Sequence, residues 1–540
     1  MKLELDLEAS STTEISPSAS KRAQLKAVIG ASLGTMFEWY DFYLYGSLAT
    51  FFSVLFFPKG NSTAGLLAAL ATYGAGFLVR PLGAAVFGSL GDRVGRKKTF
   101  LVTIVIMGFS TAGVAFLPTF EQAGWLAPVT LVALRLIQGL AIGGEYGGAA
   151  IYVGEISHPS KRGYSTSWIQ TTSTAGLIMS LIVILLCRRF TSASEFALWG
   201  WRIPFAASVV ILAISIYIRS KLDESPVFKQ MLDQGKISRR PVREAFSSHK
   251  NRKWIMVAIA LTCGAAAHWT VSQFYSIFFL TGTLRLDYSY AYPLLLIALV
   301  LGAPFYVVFG FLSDKFGRKR IMLAGLAMAT FTTLPIYHSL AIAANPLLTS
   351  FQAEHHIEVH AAKESCNLNF FAKPSSSCDL FRDFLNRNGL SYALVDEEPG
   401  TTSTLAVDGH SSLGDSSPQQ ITDFLKTFGY PEKADPQKVQ SLKVVGLIVI
   451  LLVYAGAIVG PMAAMLIELF PSNIRYTSVS IAYNVATALF GGSLAFVVSA
   501  IQFYTGDIFR GFLFPIACSG LAGFITLFFL PETKDRDIRQ

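Results

Sequence analysis

Charged residues are scarce in this chain of 540 residues, where Asp, Glu, Lys and Arg make up 15% of the total. Soluble globular domains carry about a quarter, whereas 52% of this chain is hydrophobic and its mean hydropathy is +0.47. A chain this apolar would expose far more hydrocarbon than water tolerates, which excludes a soluble enzyme and a disordered chain. Five cysteines in 540 residues are also too few for a secreted disulfide scaffold.

Motifs for metals and nucleotides are missing as well. Cysteine and histidine do not occur at the spacing of a four-ligand zinc site. The stretch 91–98 has the wrong glycine spacing for a phosphate-binding loop, and Arg96 stands where that loop needs Lys. We therefore expect no metal and no cofactor. The basic residues lie between apolar runs instead of forming one polar surface, so the net charge of +9 does not indicate a nucleic-acid partner.

Long apolar runs are what the chain does have. Twelve of them recur along the sequence, and a helix needs about 20 apolar residues to cross a bilayer. The sequence therefore predicts an all-α membrane protein with twelve transmembrane helices. Lys and Arg concentrate in alternate loops, such as 93–98 and 315–320, and positive loops are retained in the cytoplasm. We expect both termini on the cytoplasmic side of a bacterial inner membrane, with residues 1–22 as a disordered tail.

Two sequence patterns occur twice in the chain. Residues 91–98 and 313–320 are versions of one motif, and a Glu precedes an Arg by seven positions in both 155–162 and 468–475. Such a repeat is typical of a transporter built from two related halves, with its site at their interface. The expected divisions are a six-helix bundle at 23–219, a cytoplasmic linker at 220–253, the second bundle at 254–345 and 441–531, and a cytoplasmic tail at 532–540.

The second half carries an insertion. Asp314 and Glu468 are 154 positions apart, whereas Asp92 and Glu155 are 63 apart, so the second half contains 91 extra residues. They fall between the ninth and tenth helices, at 346–440, on the predicted extracytoplasmic side. We expect a small α/β module there, and the alternative is an insertion that binds no ligand.

Turn and cap signals divide this inserted module into elements. Helices are predicted at 379–388 and after the capping box that begins at Ser417. Strands are predicted at 390–395 and 402–407. A disulfide can persist on the outer side of the membrane, and the two cysteines placed there are Cys366 and Cys378.

Several short motifs follow one another along the chain. They are the loop motif at 92–97, Arg135-Leu136-Ile137-Gln138-Gly139, Glu38-Trp39-Tyr40-Asp41-Phe42, Arg80-Pro81-Leu82-Gly83, Gly143-Gly144-Glu145-Tyr146-Gly147-Gly148, and the half-ending segments Asp223-Glu224-Ser225-Pro226 and Pro531-Glu532-Thr533-Lys534. In these motifs the chain resembles the major facilitator superfamily, and within it the metabolite:proton symporter family. The resemblance covers nearly everything except 1–20 and the insertion, and it implies transport by alternating access.

Ionisable residues inside the membrane are costly unless they are paired or face water, and the resemblance gives two of them a role. In proton-coupled sugar-porter relatives an Asp of the first helix faces an Arg of the fourth, and Asp41 and Arg135 match those positions. We expect Asp41 to carry the proton, with Glu38 in reserve, and Arg135 to pair with Asp41 until protonation frees it. The alternative is a permanent structural ion pair between the two helices.

A buried guanidinium suits a carboxylate, which it binds with two parallel hydrogen bonds. Arg80 is expected near the middle of the second helix, so the sequence predicts a small organic acid or zwitterion as substrate. Polar and aromatic residues that could complete the pocket are Tyr45, Gln170, His268, Trp269, Gln273, Tyr483 and Asn484. Each of these could instead be a hydrogen bonder at a helix contact.

The repeated loop motifs are expected to gate transport and not to bind substrate. The resemblance implies that their aspartates latch neighbouring helices in the outward-open state. The predicted gate residues are Asp92, Arg96, Glu155, Arg162, Asp314, Arg318, Glu468 and Arg475.

These observations together predict a proton-coupled symporter, not an enzyme. It imports its substrate, works as a monomer and is surrounded by membrane lipid. The alternatives are a non-transporting sensor that uses the insertion to bind a ligand, and a proton-independent uniporter or exporter of the same fold.

Overall fold

The computed structural model describes residues 17–58, 62–221, 223–366, 376–412, 416–534 and 536–538. In this part of the chain, eleven helices are long and apolar enough to cross a membrane, and the 31-residue helix Pro17–Ser47 precedes them. We number these twelve helices as spans 1 to 12. In order they are Pro17–Ser47, Ala71–Val94, Arg96–Val114, Leu126–Ile156, Pro159–Phe190, Phe196–Ser220, His249–Thr283, Tyr288–Phe316, Arg318–Ala344, Ser441–Leu469, Arg475–Thr505 and Arg510–Phe529.

Span 1 begins earlier than the sequence predicted. Part of the tail expected to be disordered, 1–22, is helical from Pro17 onward. Proline suits the first turn of a helix because its missing N–H has no partner there in any case. The rest of that predicted tail lies outside the described residues.

Spans 1–6 form one bundle and spans 7–12 the other, joined by a linker with the short helices Pro226–Asp233 and Pro241–Ser247. Between the bundles, span 2 packs on span 11 and span 5 packs on span 8. The two contacts are equivalent, because spans 2 and 8 occupy the same place in the two halves, as do spans 5 and 11. Small residues allow the close approach: a Cβ placed on Gly163 of span 5 would lie 2.6 Å from the carbonyl oxygen of Gly310 of span 8. The interface between the halves is therefore formed by closely packed helices.

The insertion folds as a small α/β module between spans 9 and 10. Its strands are β1 Ile357–Ala361, β2 Ala393–Asp396, β3 Thr404–Val407 and β4 His410–Ser412. The sheet order is β2-β1-β3-β4, with β1 parallel to β2 and antiparallel to β3. The helices that share its apolar core are Pro346–Glu354, Ser377–Arg387 and Pro418–Thr427. The strands predicted at 390–395 and 402–407 overlap β2 and β3, whereas β1 and β4 are absent from the prediction.

The module is attached to the second bundle, at the end opposite the repeated loop motifs. The backbone N–H of Tyr392 donates to the carbonyl of Gly506 at 2.8 Å. Arg382 is buried and its Nη2 donates to the carbonyl of Phe503 at 3.2 Å. Both carbonyls belong to the C-terminal end of span 11, where a cation is favoured by the helix dipole.

A disulfide lies within the module. The structure joins Cys366 to Cys378, whose Cα atoms are 5.4 Å apart. The residues between them that fall at 367–375 are outside the described part of the chain. The free cysteines are Cys187, Cys263 and Cys518.

Candidate functional site

Buried charges close the end of the bundle that carries the repeated loop motifs. Asp92, near the end of span 2, accepts hydrogen bonds from the backbone N–H groups of Tyr476 (3.3 Å) and Thr477 (2.9 Å) and from the Thr477 hydroxyl (2.8 Å). These two residues open span 11, and the first N–H groups of a helix have no partner within it. Asp92 therefore caps a helix of the other half and ties spans 2 and 11 together.

The second motif makes the equivalent contact in the opposite direction. Asp314, near the end of span 8, accepts hydrogen bonds from the N–H groups of Gly163 (2.9 Å) and Tyr164 (2.8 Å), which open span 5. The dipole of span 5 also favours a negative charge at this end. Each of the two motif aspartates thus caps a helix across the interface between the halves.

Two glutamates extend this charged cluster, and each pairs with an arginine of the other half. The pairs are Glu155–Arg475 and Glu468–Arg162, both at 2.9 Å. A second arginine approaches each glutamate from its own half: Arg96 Nη2 lies 3.8 Å from Glu155 and Arg318 Nη2 lies 3.2 Å from Glu468. These side chains are at most 2% exposed. These six residues, together with Asp92 and Asp314, are the predicted gate residues, and we call them the gate.

Two further glutamates adjoin the gate, and their role was not predicted. Glu224 accepts a hydrogen bond from the N–H of Arg96 at 3.0 Å, and Glu532 accepts one from the N–H of Arg318 at 2.8 Å. They cap the starts of spans 3 and 9 within their own halves. The sequence signal was present, since both segments that end the halves contain a Glu followed by a hydroxyl residue.

A cavity lies at the interface between the halves, at the level of the middle of the spans. Counting its opening, it encloses about 350 Å³. The first half contributes Trp39, Phe77, Arg80 and Gln170. The second half contributes small and hydroxylated residues together with Trp269 and Tyr483. Of the described residues on this wall, only Arg80 is charged.

Arg80 is fully buried and surrounded by aromatic rings. Its Cζ atom lies 3.9 Å from the ring centre of Phe77, 4.6 Å from that of Phe42 and 5.5 Å from that of Trp39. Aromatic faces attract a guanidinium, and here they fix its plane. A guanidinium held in this way can bind a carboxylate with two parallel hydrogen bonds.

Two other polar groups of the cavity wall were not predicted from the sequence. The hydroxyl of Thr262 and the indole N–H of Trp39 are buried and have no hydrogen-bond partner among the described residues. Buried polar groups in proteins are almost always bonded. These two groups are therefore candidates for contact with a bound molecule.

The eight predicted substrate residues divide into two sets. Those on the cavity wall are Arg80, Gln170, Trp269 and Tyr483. The others bond elsewhere: His268 Nε2 is 3.2 Å from the Leu451 carbonyl, Gln273 donates to Tyr306 at 2.7 Å, Asn484 donates to the Gly143 carbonyl at 2.8 Å, and Tyr45 donates to the Ala69 carbonyl at 2.9 Å. The structure places these four at helix contacts.

Asp41 and Arg135 are both buried in the first half. Ser208 of span 6 donates a hydrogen bond to Asp41 Oδ1 at 2.6 Å. Arg135 Nη1 donates to Gln138 Oε1, also at 2.6 Å. The predicted partners are thus held by separate neighbours, although their charges are close enough to interact. The side chain of Glu38, the predicted reserve proton carrier, lies outside the described residues.

Known proteins resemble this chain in sequence and in fold. The family model "Sugar (and other) transporter" matches residues 27–240 and 424–540. The chain is 36% identical over 318 residues to the shikimate transporter of Escherichia coli (strain K12), an alignment that covers 58% of this chain and 72% of the relative. It is 34% identical over 320 residues to the proline/betaine transporter of the same organism, covering 58% of this chain and 64% of the relative.

A solved structure shows the fold. The proton:xylose symporter XylE bound to 6-bromo-6-deoxy-D-glucose aligns with a TM-score of 0.65, covering 96% of this chain and 98% of that chain. The two sequences are 16% identical, so the likeness extends to the architecture of the bundle and not to its binding residues.

Proposed function

Because the chain belongs to the metabolite:proton symporter family of the major facilitator superfamily, among the sugar (and other) transporters, we propose that it imports a small organic acid or zwitterion together with protons. It is a multi-pass membrane transporter and not an enzyme. The proposed cycle is alternating access, in which the two halves expose the cavity first to one side and then to the other.

The observation that carries this proposal is the cavity with Arg80 as the one charged residue on its described wall. A guanidinium on the wall can bind a carboxylate with two parallel hydrogen bonds. A sugar has no charged group to place there. We therefore favour an organic acid or zwitterion over a hexose.

The names of the relatives support the same chemistry. Shikimate is a carboxylic acid, and proline and betaine are zwitterions whose negative charge is one carboxylate. In this chain the carboxylate would lie on Arg80. The cationic end of a zwitterion, or the ring of a cyclic acid, would lie against the aromatic faces of Trp39, Trp269 or Tyr483.

Proton coupling is proposed to depend on Asp41 and Arg135. Arginine keeps its proton in proteins, whereas a carboxyl can exchange a cationic partner for a proton. A change in the charge of Asp41 therefore changes which groups Arg135 contacts, and with them the fit of spans 1 and 4. Glu38 lies on the same span and is proposed as the reserve carrier.

Topology follows from the basic loops. We propose that both termini and the gate face the cytoplasm of a bacterial inner membrane, because Lys and Arg concentrate at that end. The inserted module then faces outward, and the structure is the state that is closed toward the cytoplasm. Since cavity and gate are both formed within one chain, we propose that the monomer is the working unit.

The first test is transport by the purified protein in liposomes. Under an inward proton gradient we expect labelled shikimate, proline or glycine betaine to accumulate, and xylose, which has no carboxylate for Arg80 to bind, to be excluded. The measurement is the inside-to-outside ratio of label with and without a protonophore. Uptake that is the same with and without the protonophore would indicate a uniporter or exporter. Binding without flux would indicate a sensor.

Arg80 is expected to set the affinity for the substrate. Replacing it with Met should weaken binding of the accumulated substrate about 10- to 150-fold, because hydrogen bonds to charged groups are worth about 1.5–3 kcal/mol. Arg80→Lys keeps the charge but loses the paired geometry, so its affinity should be intermediate. Calorimetry on purified protein measures both. Arg510→Met, at a side chain that is 61% exposed, is the control, and wild-type affinity in Arg80→Met would remove Arg80 from the site.

A further inference from the structure

Asp41 and Arg135 each have a neutral hydrogen-bond partner in this structure, and the partner of Arg135 is Gln138. Gln138 lies three positions after Arg135 and hence on the same face of span 4. Its amide oxygen accepts the hydrogen bond from Arg135 Nη1 at 2.6 Å. Its amide nitrogen donates to the hydroxyl of Thr111 on span 3 at 2.8 Å. All of these side chains are at most 5% exposed.

The Thr111 hydroxyl accepts the hydrogen bond from Gln138 and donates its own proton to the carbonyl of Met107 at 3.1 Å. Span 1, which carries Asp41, packs against spans 3 and 4, which carry Thr111 and Arg135. In this arrangement Asp41 bonds Ser208 at 2.6 Å, while Gln138 holds Arg135.

Arg135 needs an acceptor in every state of the cycle. Its guanidinium remains charged, and leaving a buried cation without a partner is strongly unfavourable. When Asp41 is neutral it no longer attracts Arg135 as a charge. The amide oxygen of Gln138 can hold the guanidinium without adding a negative charge that would compete with Asp41. In this structure it does so, while Nε and Nη2 of Arg135 have no hydrogen-bond partner among the described residues.

We propose that Gln138 is a positioning residue for proton coupling, which holds Arg135 away from Asp41 while Asp41 is neutral and releases it when Asp41 is charged. The inference rests on the proposed proton coupling through Asp41. Without an acceptor at position 138, Arg135 stays beside Asp41 in both states. A positive charge next to a carboxyl group favours its ionised form, so Asp41 would hold its proton less readily.

Among the described side chains, the other titratable groups beside this pair are phenols: Tyr40 interacts with Asp41, and Tyr45 and Tyr73 interact with Arg135. The ring of Tyr45 lies under the guanidinium of Arg135, with its centre 3.9 Å from Cζ. Phenols ionise only near pH 10 or above. They stay neutral over the range in which a carboxyl beside an arginine titrates.

The test is an infrared titration of the purified full-length protein, which needs no substrate. The stretching band of the protonated Asp41 carboxyl is identified as the band that Asp41→Asn removes, and its intensity is followed against pH. In Gln138→Met, which keeps the length of the side chain but has no amide, we expect the midpoint to move about 1–3 pH units toward acid. In Gln138→Glu the carboxylate holds Arg135 and repels a charged Asp41, so the midpoint should move toward alkali.

Opposite shifts in these two variants distinguish positioning from packing, because a packing defect would not depend on the charge of the substituent. The matched control is Gln502→Met. Gln502 is a buried glutamine of span 11 that bonds Tyr275 and Ile508, and its loss should leave the midpoint unchanged. If Gln138→Met does not fold, the inference is tested by the midpoint of the Asp41 band in Gln138→Glu, which is expected to shift toward alkali.

Three outcomes overturn the inference, and they are distinguishable. A wild-type midpoint in Gln138→Met, or shifts of the same sign in both variants, would overturn the role of Gln138 alone and leave the proposed function standing. If the band assigned to Asp41 does not titrate in the wild type, the proposed coupling fails and this inference fails with it.

Discussion

Replacing Asp41 with Asn is expected to abolish uphill accumulation while substrate exchange continues. Asparagine has the shape of a neutral aspartic acid but cannot bind or release the proton. With one proton per substrate, a gradient of about two pH units can support about 100-fold accumulation, since each unit is worth a factor of ten. In Asp41→Asn the inside-to-outside ratio should fall to about 1, whereas the exchange of labelled for unlabelled substrate needs no net proton movement.

Both quantities are measured in the same liposomes, as gradient-driven accumulation and as counterflow. Asp507→Asn is the matched control, because Asp507 lies in the loop between spans 11 and 12 and pairs with the exposed Arg510 at the start of span 12. This variant should accumulate substrate like the wild type. Uphill accumulation by Asp41→Asn would exclude Asp41 as the proton carrier and direct attention to Glu38. Loss of counterflow in a folded Asp41→Asn protein would show that Asp41 also contributes to binding or closure.

The helical fold could be predicted because membrane spans must be apolar over their full length. The repeat made it possible to predict the gate as well, since 91–98 and 313–320 had to occupy equivalent places. The sequence did not show which helix each aspartate would cap. Asp92 and Tyr476 are 384 positions apart, and their contact depends on how the two halves pack.

The cavity-lining residues could not all be predicted, mainly because the sequence does not show how each span is oriented about its own axis. A span that faces lipid on one side and protein on the other is apolar all round, so hydrophobic periodicity does not identify its inner face. One step along a helix turns the side chain by about 100°. Trp269 and Tyr483 therefore line the cavity, while their neighbours His268 and Asn484 bond helix carbonyls.

The inserted module shows the same contrast between local and non-local signals. The helix that begins at Pro418 was predicted because Ser417 and Gln420 form a capping box, which is a local pattern. Strand β1 was missed because its alternate, half-buried positions are the polar residues Glu358 and His360. Such a short polar alternation becomes a strand only when neighbours on both sides supply its hydrogen bonds.

Opening of the gate should follow from the loss of a single carboxylate. Glu468 accepts hydrogen bonds from Arg162 of the first half at 2.9 Å and from Arg318 of its own half at 3.2 Å. Glu468→Gln would leave the buried Arg162 without its counter-charge, whereas Arg318 would keep Asp314 at 2.6 Å. Breaking a buried pair costs about 3–5 kcal/mol. That cost falls on the closed gate alone, because in the open state these side chains reach water. The population should shift toward the open gate by about two orders of magnitude or more.

The shift can be measured as a distance between spin labels placed on the two sides of the gate. Ser160→Cys and Lys315→Cys put labels on exposed positions of the first and second halves, in a background from which the free cysteines have been removed. Glu532→Gln is the matched control, because Glu532 bonds backbone N–H groups at the start of span 9 and in its own segment, all in the second half, and no charge between the halves is lost. A longer distance in Glu468→Gln, with an unchanged one in Glu532→Gln, is the expected result. Equal widening in both would mean that helix capping, and not the ion pair between the halves, keeps the gate closed.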